Sequence, residues 1–218
     1  TNLDLRHNCL WADGVRQLAG ALQHVPALTS LNLRDNDLRE SGMRQLPMAL
    51  RRVSGLISLD LSENYLGAEG VQFLPASLQQ LPRLTELNLR RNDLKTEGAR
   101  YLREALQHVS CLTSLDLRDN ELGLAGAFEL PAALQHVPKL ACLDLRGNQI
   151  ESVDTEQLLS ALLTPKLKRL DLRLQQAPRN QPLLVPTDSW QGRGGAPPPK
   201  SILRNCSRVS LSSSGNAV

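Results

Sequence analysis

A short motif that returns every 28 residues constrains this chain more than any other feature. It is written LDLRHNCL from Leu3, and later copies such as LNLRDNDL and LDLRDNEL keep its leucines and its asparagine. The first leucines stand at positions 3, 31, 59, 87, 115 and 143, and a degenerate seventh copy begins at Leu170. A fixed period of this length is typical of a solenoid, in which stacked units share one hydrophobic core. We number these units 1 to 7.

Each unit has the pattern of a strand, a turn and a helix, which predicts an α/β architecture. In unit 2, Leu31 and Leu33 alternate with Asn32 and Arg34, so the leucines point inward and the polar residues point to solvent. Apolar residues at spacings of three and four then indicate a helix with one buried face. One such unit cannot bury its apolar face alone, so the units are expected to stack.

Two columns of residues in the helical part predict local irregularity. Glycine stands at positions 14, 42, 70, 98 and 126, which indicates a close backbone approach or a special dihedral angle. Proline stands at positions 47, 75 and 131, where an α-helix loses a hydrogen bond and clashes with its preceding turn. We therefore expect these three helices to be ragged before the proline and regular after it.

Charge and cysteine usage limit the surroundings in which the protein works. Residues 1–173 hold 20 basic and 21 acidic side chains, a balance of −1, whereas residues 174–218 hold five basic and one acidic, a balance of +4. The near-neutral repeat region argues against a nucleic-acid partner, which would require a basic stripe. The four cysteines are scattered, as is typical of a reducing compartment, so we expect a cytoplasmic protein. No apolar run is long enough to span a membrane, so no membrane partner is expected.

The two ends of the chain carry separate expectations. The chain begins inside a motif, so we expect a fragment or the end of a longer chain. Residues 174–218 are rich in Pro, Gly and Ser, which predicts a disordered basic tail after a repeat domain of residues 1–173. In that tail, Ser207 and Ser210 follow arginines closely and are candidate phosphorylation sites.

The LxLxxNxL strand, the glycine column, the 28-residue period and a helix in each unit resemble the ribonuclease-inhibitor-like family of leucine-rich repeats. That family includes the sensor domains of NOD-like receptors and the Ran GTPase-activating protein. The resemblance covers residues 1–173 and implies a right-handed horseshoe arc, with a parallel sheet on the concave side and helices on the convex side. It implies little about function, because the relatives do different work on one scaffold.

The repeated asparagine of the motif has a structural explanation. It stands at positions 8, 36, 64, 92, 120 and 148. Because an amide both donates and accepts hydrogen bonds, it can satisfy backbone groups that are left free where the strand ends and the chain turns inward. We expect these side chains to hold the turn and to bind no ligand.

Charged side chains on the concave face are the candidate partner-binding residues. One column holds only Asp or Asn, and the next column holds Arg in every unit except unit 3, where Ser62 stands. These columns could neutralise each other or form a recognition surface, since Arg is favoured at interfaces and binds carboxylates through two hydrogen bonds. The candidates are Arg34, Asp60, Glu86, Arg90, Arg91, Asp116, Arg118, Asp144 and Arg146.

No sequence motif for a nucleophile, a phosphate loop or a zinc site is present. We therefore expect a non-enzymatic module that binds a protein partner, with no cofactor, no metal and no small-molecule substrate. The first expectation is the sensor or regulatory part of a NOD-like-receptor-type protein. Two alternatives remain open: a GTPase-activating or other enzyme-regulating solenoid, and a cytoskeletal or axonemal scaffold.

Overall fold

In a computed structural model, described for residues 1–150, 155–162 and 167–172, the units stack side by side. Their strands form one open, seven-stranded parallel sheet in chain order, with each motif leucine in register with the next, as Leu31 is with Leu59. The strands are β1 (Asn2–Asp4), β2 (Ser30–Asn32), β3 (Ser58–Asp60), β4 (Glu86–Asn88), β5 (Ser114–Asp116), β6 (Cys142–Asp144) and β7 (Arg169–Asp171). The tail, with Ser207 and Ser210, lies outside the described residues.

Helices follow the strands and pack against one side of the sheet. They are α1 (Trp11–Leu22), α2 (Arg39–Leu50), α3 (Gly67–Val71), α4 (Leu74–Leu78), α5 (Lys95–Leu106), α6 (Gly123–Leu134) and α7 (Thr155–Leu162). The strand leucines and the helix leucines form one continuous core, in which side chains such as Leu59 and Leu74 are fully buried. No helix of the described residues is long and apolar enough to cross a membrane.

The expected effect of proline is wrong for two of the three helices. Pro47 and Pro131 lie inside uninterrupted twelve-residue helices, α2 and α6. Only at Pro75 is the helix divided: α3 ends before it, and Pro75 lies in the first turn of α4, where a missing N–H leaves no bond unmade. In α2, Leu46 and Leu50 on either side of the proline are fully buried, so packing outweighs the local preference.

The glycine column reflects close packing and not a special dihedral angle. These glycines lie one turn inside their helices, and a Cβ at Gly98 would lie 2.9 Å from Cβ of Leu94. A Cβ at Gly126 would also lie 3.2 Å from the Thr96 Cα of the preceding unit. The left-handed residues are instead in the turn before each helix, for example Asp35, Asp37 and Arg39 in unit 2.

The asparagine column holds adjacent units together, as expected. The side-chain amide of Asn64 donates to Leu61 O at 3.0 Å in its own unit and to Leu33 O at 2.9 Å in the preceding unit. Its Oδ1 accepts the backbone N–H of Asn36 at 2.9 Å. The equivalent asparagines 36, 92, 120 and 148 are also fully buried, so each turn after a strand is fixed to the turn beside it.

Candidate functional site

The face of the sheet that points away from the helices is the candidate site, and we call it the outer face. Three columns of side chains cross it: the first residue of each strand, the third residue, and the residue two positions after the third. In unit 5 these are Ser114, Asp116 and Arg118, and all three side chains are half-buried. At about 4.8 Å between strands, seven strands give a face about 30 Å long.

The Asp and Asn side chains of the third-residue column have a structural role that the sequence pattern alone did not show us. In each of units 1 to 6, Oδ1 accepts the backbone N–H two residues later, as Asn32 does from Arg34 at 3.0 Å and Asp116 does from Arg118 at 3.0 Å. Both residue types can form this local bond, and few others can. The sequence signal for this role was the restriction of the column to Asp and Asn. The local hydrogen bond explains why only these two residue types occur there.

Where the third-residue column holds Asp, the arginine of the same unit turns back onto it. Arg118 donates from Nε to both oxygens of Asp116, at 3.0 and 2.9 Å, and Nη2 also bonds Oδ2. Arg146 binds Asp144 in the same way, with Nε and Nη2 bonds of 2.6 to 3.1 Å. Arg6 lies 3.1 Å from Asp4 in unit 1. These shortest bonds are within one unit, although Arg118 and Arg146 also lie 3.5 Å from the strand aspartates of the next units, Asp144 and Asp171.

Where the column holds Asn, the arginine reaches into the next unit. Arg34, which follows Asn32, donates to Glu63 at 3.1 Å. Arg90, which follows Asn88, donates to Asp119 at 3.2 Å. Arg91 contributes to both acidic sites, with nitrogen–oxygen distances of 3.5 Å to Glu63 and 3.4 Å to Asp119. The presence or absence of a strand carboxylate therefore decides the direction in which each arginine points.

Unit 3 follows neither pattern, because Ser62 stands where the arginine would be. Ser62 was expected to point to solvent, but it is only 2% exposed, and its Oγ donates to Asp60 at 2.6 Å. Asp60 also accepts the Ser62 N–H at 2.8 Å and the Asn88 side-chain amide at 3.0 Å. Within the described part of the chain, no basic side chain forms an ion pair with Asp60 or with the exposed Glu86.

Electrostatics follow these pairings. The pKa of Arg118 is raised above its ordinary value, mainly by its hydrogen bonds to Asp116 and further by the charges of Asp116 and Asp144. The pKa of Arg146 is raised in the same way by Asp144, with Asp171 contributing. Both guanidinium groups therefore remain charged.

The nine predicted residues all lie on the outer face or at its edge, but their availability differs. Asp116, Arg118, Asp144 and Arg146 bind one another and are only 19 to 27% exposed. Arg91 is 53% exposed and spans two acidic groups at ordinary ion-pair distances. Asp60 and Glu86 lack an internal cation, as described above. The structure thus brings the candidates together without showing that they bind a partner.

A second surface lies beside the sheet, where the turns lead into the helices. Trp11 and Tyr65 are 56% and 61% exposed, and the indole N–H of Trp11 donates to Asp37 at 3.0 Å. The hydrogen bond from Arg39, 2.6 Å long, is the main cause that lowers the pKa of Asp37, and burial opposes it. A shallow depression of about 520 Å³ lies nearby, lined by Arg39, Glu40, Tyr65, Leu66, Gly67 and Glu69. In the sequence, these two rings stand out because they lie outside the apolar columns of a chain with only 3% aromatic residues.

Comparisons with known proteins agree with this architecture. A family model described as Leucine Rich repeat matches residues 26–46, 56–74, 80–102 and 108–130. The chain has a leucine-rich repeat fold. The crystal structure of the leucine-rich repeat-containing protein LegL7 from Legionella pneumophila is similar, with a TM-score of 0.63 and 29% identity. That match covers 79% of this chain and 56% of LegL7, so the chain spans little more than half of its relative. The search of curated protein sequences found no match.

Proposed function

We propose that the chain is a non-enzymatic module that binds a protein partner on its outer face, the face that the leucine-rich repeat form places on the concave side. The observation that carries the proposal is the contrast between the two sides of the sheet. One side is sealed against the helices by buried leucines, and the other presents partly exposed arginines and carboxylates held in register by hydrogen bonds. Arginine in a fixed position is favoured in protein interfaces, since little side-chain freedom is lost on binding.

Three of the nine candidate residues are proposed to contribute most of the binding energy. Glu86 and Arg91 are exposed, and Asp60 has no cation of its own. The mutually paired residues of units 5 and 6 would instead supply shape and a fixed electrostatic pattern around them. A short ion pair that is only 19 to 27% exposed gains little from a new contact, because the partner must first displace it. Arg91 differs because it is 53% exposed and its ion-pair distances are longer, 3.4 and 3.5 Å.

The finer proposal is a cytoplasmic sensor or regulatory domain of the NOD-like-receptor type, occupying residues 1–173. Its support is the uniform 28-residue repeat with a ladder asparagine, the same features that carry the resemblance to the ribonuclease-inhibitor-like group. The last described strand, β7, ends at Asp171, close to the proposed end of the domain. Sequencing of the full transcript tests this form: a nucleotide-binding module encoded in the same chain would support it, and a different neighbour would reject it.

The binding proposal is tested by exchanging two charges on the outer face while the net charge stays constant. The variant Glu86→Lys/Arg91→Glu alters the two most exposed candidates without touching the asparagine ladder. The matched control Arg103→Glu/Glu104→Lys makes the same exchange on the exposed side of α5. Quantitative affinity capture should lose the proteins bound by the wild type in the first variant and keep them in the control. Equal capture by both variants would contradict the proposal.

A further inference from the structure

Asp60 is the one strand aspartate of units 1, 3, 5 and 6 that has no guanidinium group against it. Asp4, Asp116 and Asp144 each bind an arginine of their own unit. Asp60 instead accepts hydrogen bonds from Ser62 and Asn88, which are neutral groups. Its carboxylate is therefore solvated and hydrogen-bonded but not neutralised by any residue of the described chain.

Unit 5 shows what this position holds when an arginine is available. The two units are alike on one side: each follows a unit with Asn in the strand, and each receives an arginine that reaches in, Arg34 to Glu63 and Arg90 to Asp119. On the other side they differ, because Asn88 donates to Asp60, whereas Asp144 lies 3.5 Å from Arg118. In unit 5 that incoming arginine leaves room for Arg118, which binds Asp116 through two nitrogens. The same scaffold thus accommodates a guanidinium group over the strand aspartate, and in unit 3 none is supplied from within.

A second carboxylate lies beside Asp60. Glu86 is the first residue of β4 and is in register with Ser58, two residues before Asp60 on the neighbouring strand. With about 4.8 Å between strands and about 3.3 Å per residue, the two Cα atoms lie about 8 Å apart, within reach of one guanidinium group. The arginines on the neighbouring strands and turns bind other carboxylates: Arg34 and Arg91 lie at Glu63, and Arg90 lies at Asp119. The local excess of negative charge is therefore complementary to a cation from outside.

We propose that Asp60 and Glu86 form the seat for an arginine side chain of the protein partner. This inference rests on the proposed function and names the chemistry of one contact in it. Arginine fits better than lysine, because its planar fork of donors matches a carboxylate through two parallel bonds, as Arg118 does with Asp116. Replacing the partner's arginine by lysine or by neutral citrulline should therefore weaken binding about tenfold, a typical effect of losing one charge-assisted pair.

The test is a selection from a random twelve-residue peptide library displayed on phage, with the intact chain immobilised. The variant Ser62→Arg supplies the missing guanidinium from within and should block the seat. The control Asn2→Arg adds the same side chain at an exposed position on the same face, two strands away. Peptides that bind the wild type and Asn2→Arg, but not Ser62→Arg, are expected, and they should share an arginine. The absence of such peptides, or their enrichment without a shared arginine, would overturn the inference.

Folding and the broader proposal are checked separately. Ser62→Arg should unfold thermally within a few degrees of the wild type; if it does not, Asp60→Asn replaces it, since Asn already stands at this position in units 2 and 4. Selected peptides that are lost with Glu86→Lys/Arg91→Glu but bind Ser62→Arg and Asp60→Asn as well as the wild type would keep the outer face as a binding surface and reject the arginine seat. Peptides that bind all variants equally would reject both.

Discussion

Units 3 and 5 present the same strand aspartate on the same face of the sheet, yet they differ in what neutralises it. Both receive an arginine from the preceding unit, Arg34 at Glu63 and Arg90 at Asp119. Unit 5 then adds Arg118 against Asp116, whereas unit 3 has Ser62 hydrogen-bonded to Asp60. A repeat protein thus contains its own control, because the departure of unit 3 from the pattern is visible beside a unit that receives an arginine in the same way.

The comparison separates the residues that recur for structural reasons from the residues that we propose for recognition. The leucines and the ladder asparagines recur because stacking requires them, and the strand Asp or Asn recurs because it accepts a backbone N–H. The charge that a partner would meet changes at positions that do not recur, such as Ser62, Glu86 and Arg91. The comparison can be broken or sharpened by three sets of substitutions, given in order of decreasing effect on stability.

The largest loss of stability is expected from substitutions in the asparagine ladder. The loss should be equal in units 3 and 5. Asn64→Ala and Asn120→Ala each remove one of the two asparagine hydrogen bonds to each of two leucine carbonyls, and each leaves one buried backbone N–H without its partner. Each should lower the free energy of unfolding by about 3 kcal/mol, measured by urea unfolding followed by circular dichroism. Asn8→Ala, at the exposed first unit, should cost less than about 1 kcal/mol. Clearly unequal losses at positions 64 and 120 would mean that the scaffolds of units 3 and 5 differ.

A smaller effect should separate the two units directly. Asp116→Asn keeps the acceptor for the backbone N–H but removes the charge that binds Arg118, so we expect a loss of about 1 kcal/mol. Asp60→Asn removes no ion pair within the described chain and loses only the neutral hydrogen bond from Asn88, since an amide nitrogen cannot accept it, so the cost should be smaller, about 0.5 kcal/mol. Urea unfolding at low and at 1 M salt checks both, because the loss at Asp116 should shrink as salt screens the pair. Equal losses at low salt would remove the distinction between the units.

The smallest effect concerns the turn that follows the strand, where units 3 and 5 agree. Both have glycine with positive φ before the helix, Gly67 at 59° and Gly123 at 60°, while unit 4 between them has Lys95 at 56°. Lys95→Gly should raise the free energy of unfolding by about 0.5 kcal/mol, since relief of left-handed strain exceeds the added freedom of the unfolded chain. Thermal unfolding beside the control Lys95→Ala, which keeps the Cβ, measures the gain. A loss on Lys95→Gly would show that this turn is not strained.

The fold was predictable from the sequence because its causes are local and repeated. The 28-residue period predicted the stacked units, and the asparagine column predicted the buried ladder, since an amide is suited to free backbone groups. The proline prediction was wrong for α2 and α6, where buried leucines on both sides of Pro47 hold the helix. That outcome depends on tertiary packing, which a local preference cannot include.

The candidate face was predictable only as a set of columns. Alternation along the strands placed the Asp and Arg columns on one side of the sheet. It did not indicate whether each arginine binds mainly within its own unit or reaches into the next, because that depends on distances between side chains of adjacent units, as for Arg90 and Asp119. The exposure of Ser62 was also predicted wrongly, because alternation gives the direction of a side chain and not what covers it. No local pattern in the sequence identifies the proposed partner.

The crystal structure of the Ser62→Arg variant tests the central claim most directly, because it needs no partner. If unit 3 is a guanidinium site that the chain leaves unfilled, the introduced side chain should lie against Asp60 through two nitrogens, as Arg118 lies against Asp116. Arg34 should stay at Glu63, as Arg90 stays at Asp119 in unit 5. An introduced guanidinium group directed into solvent, or one that displaces Arg34 from Glu63, would contradict the account.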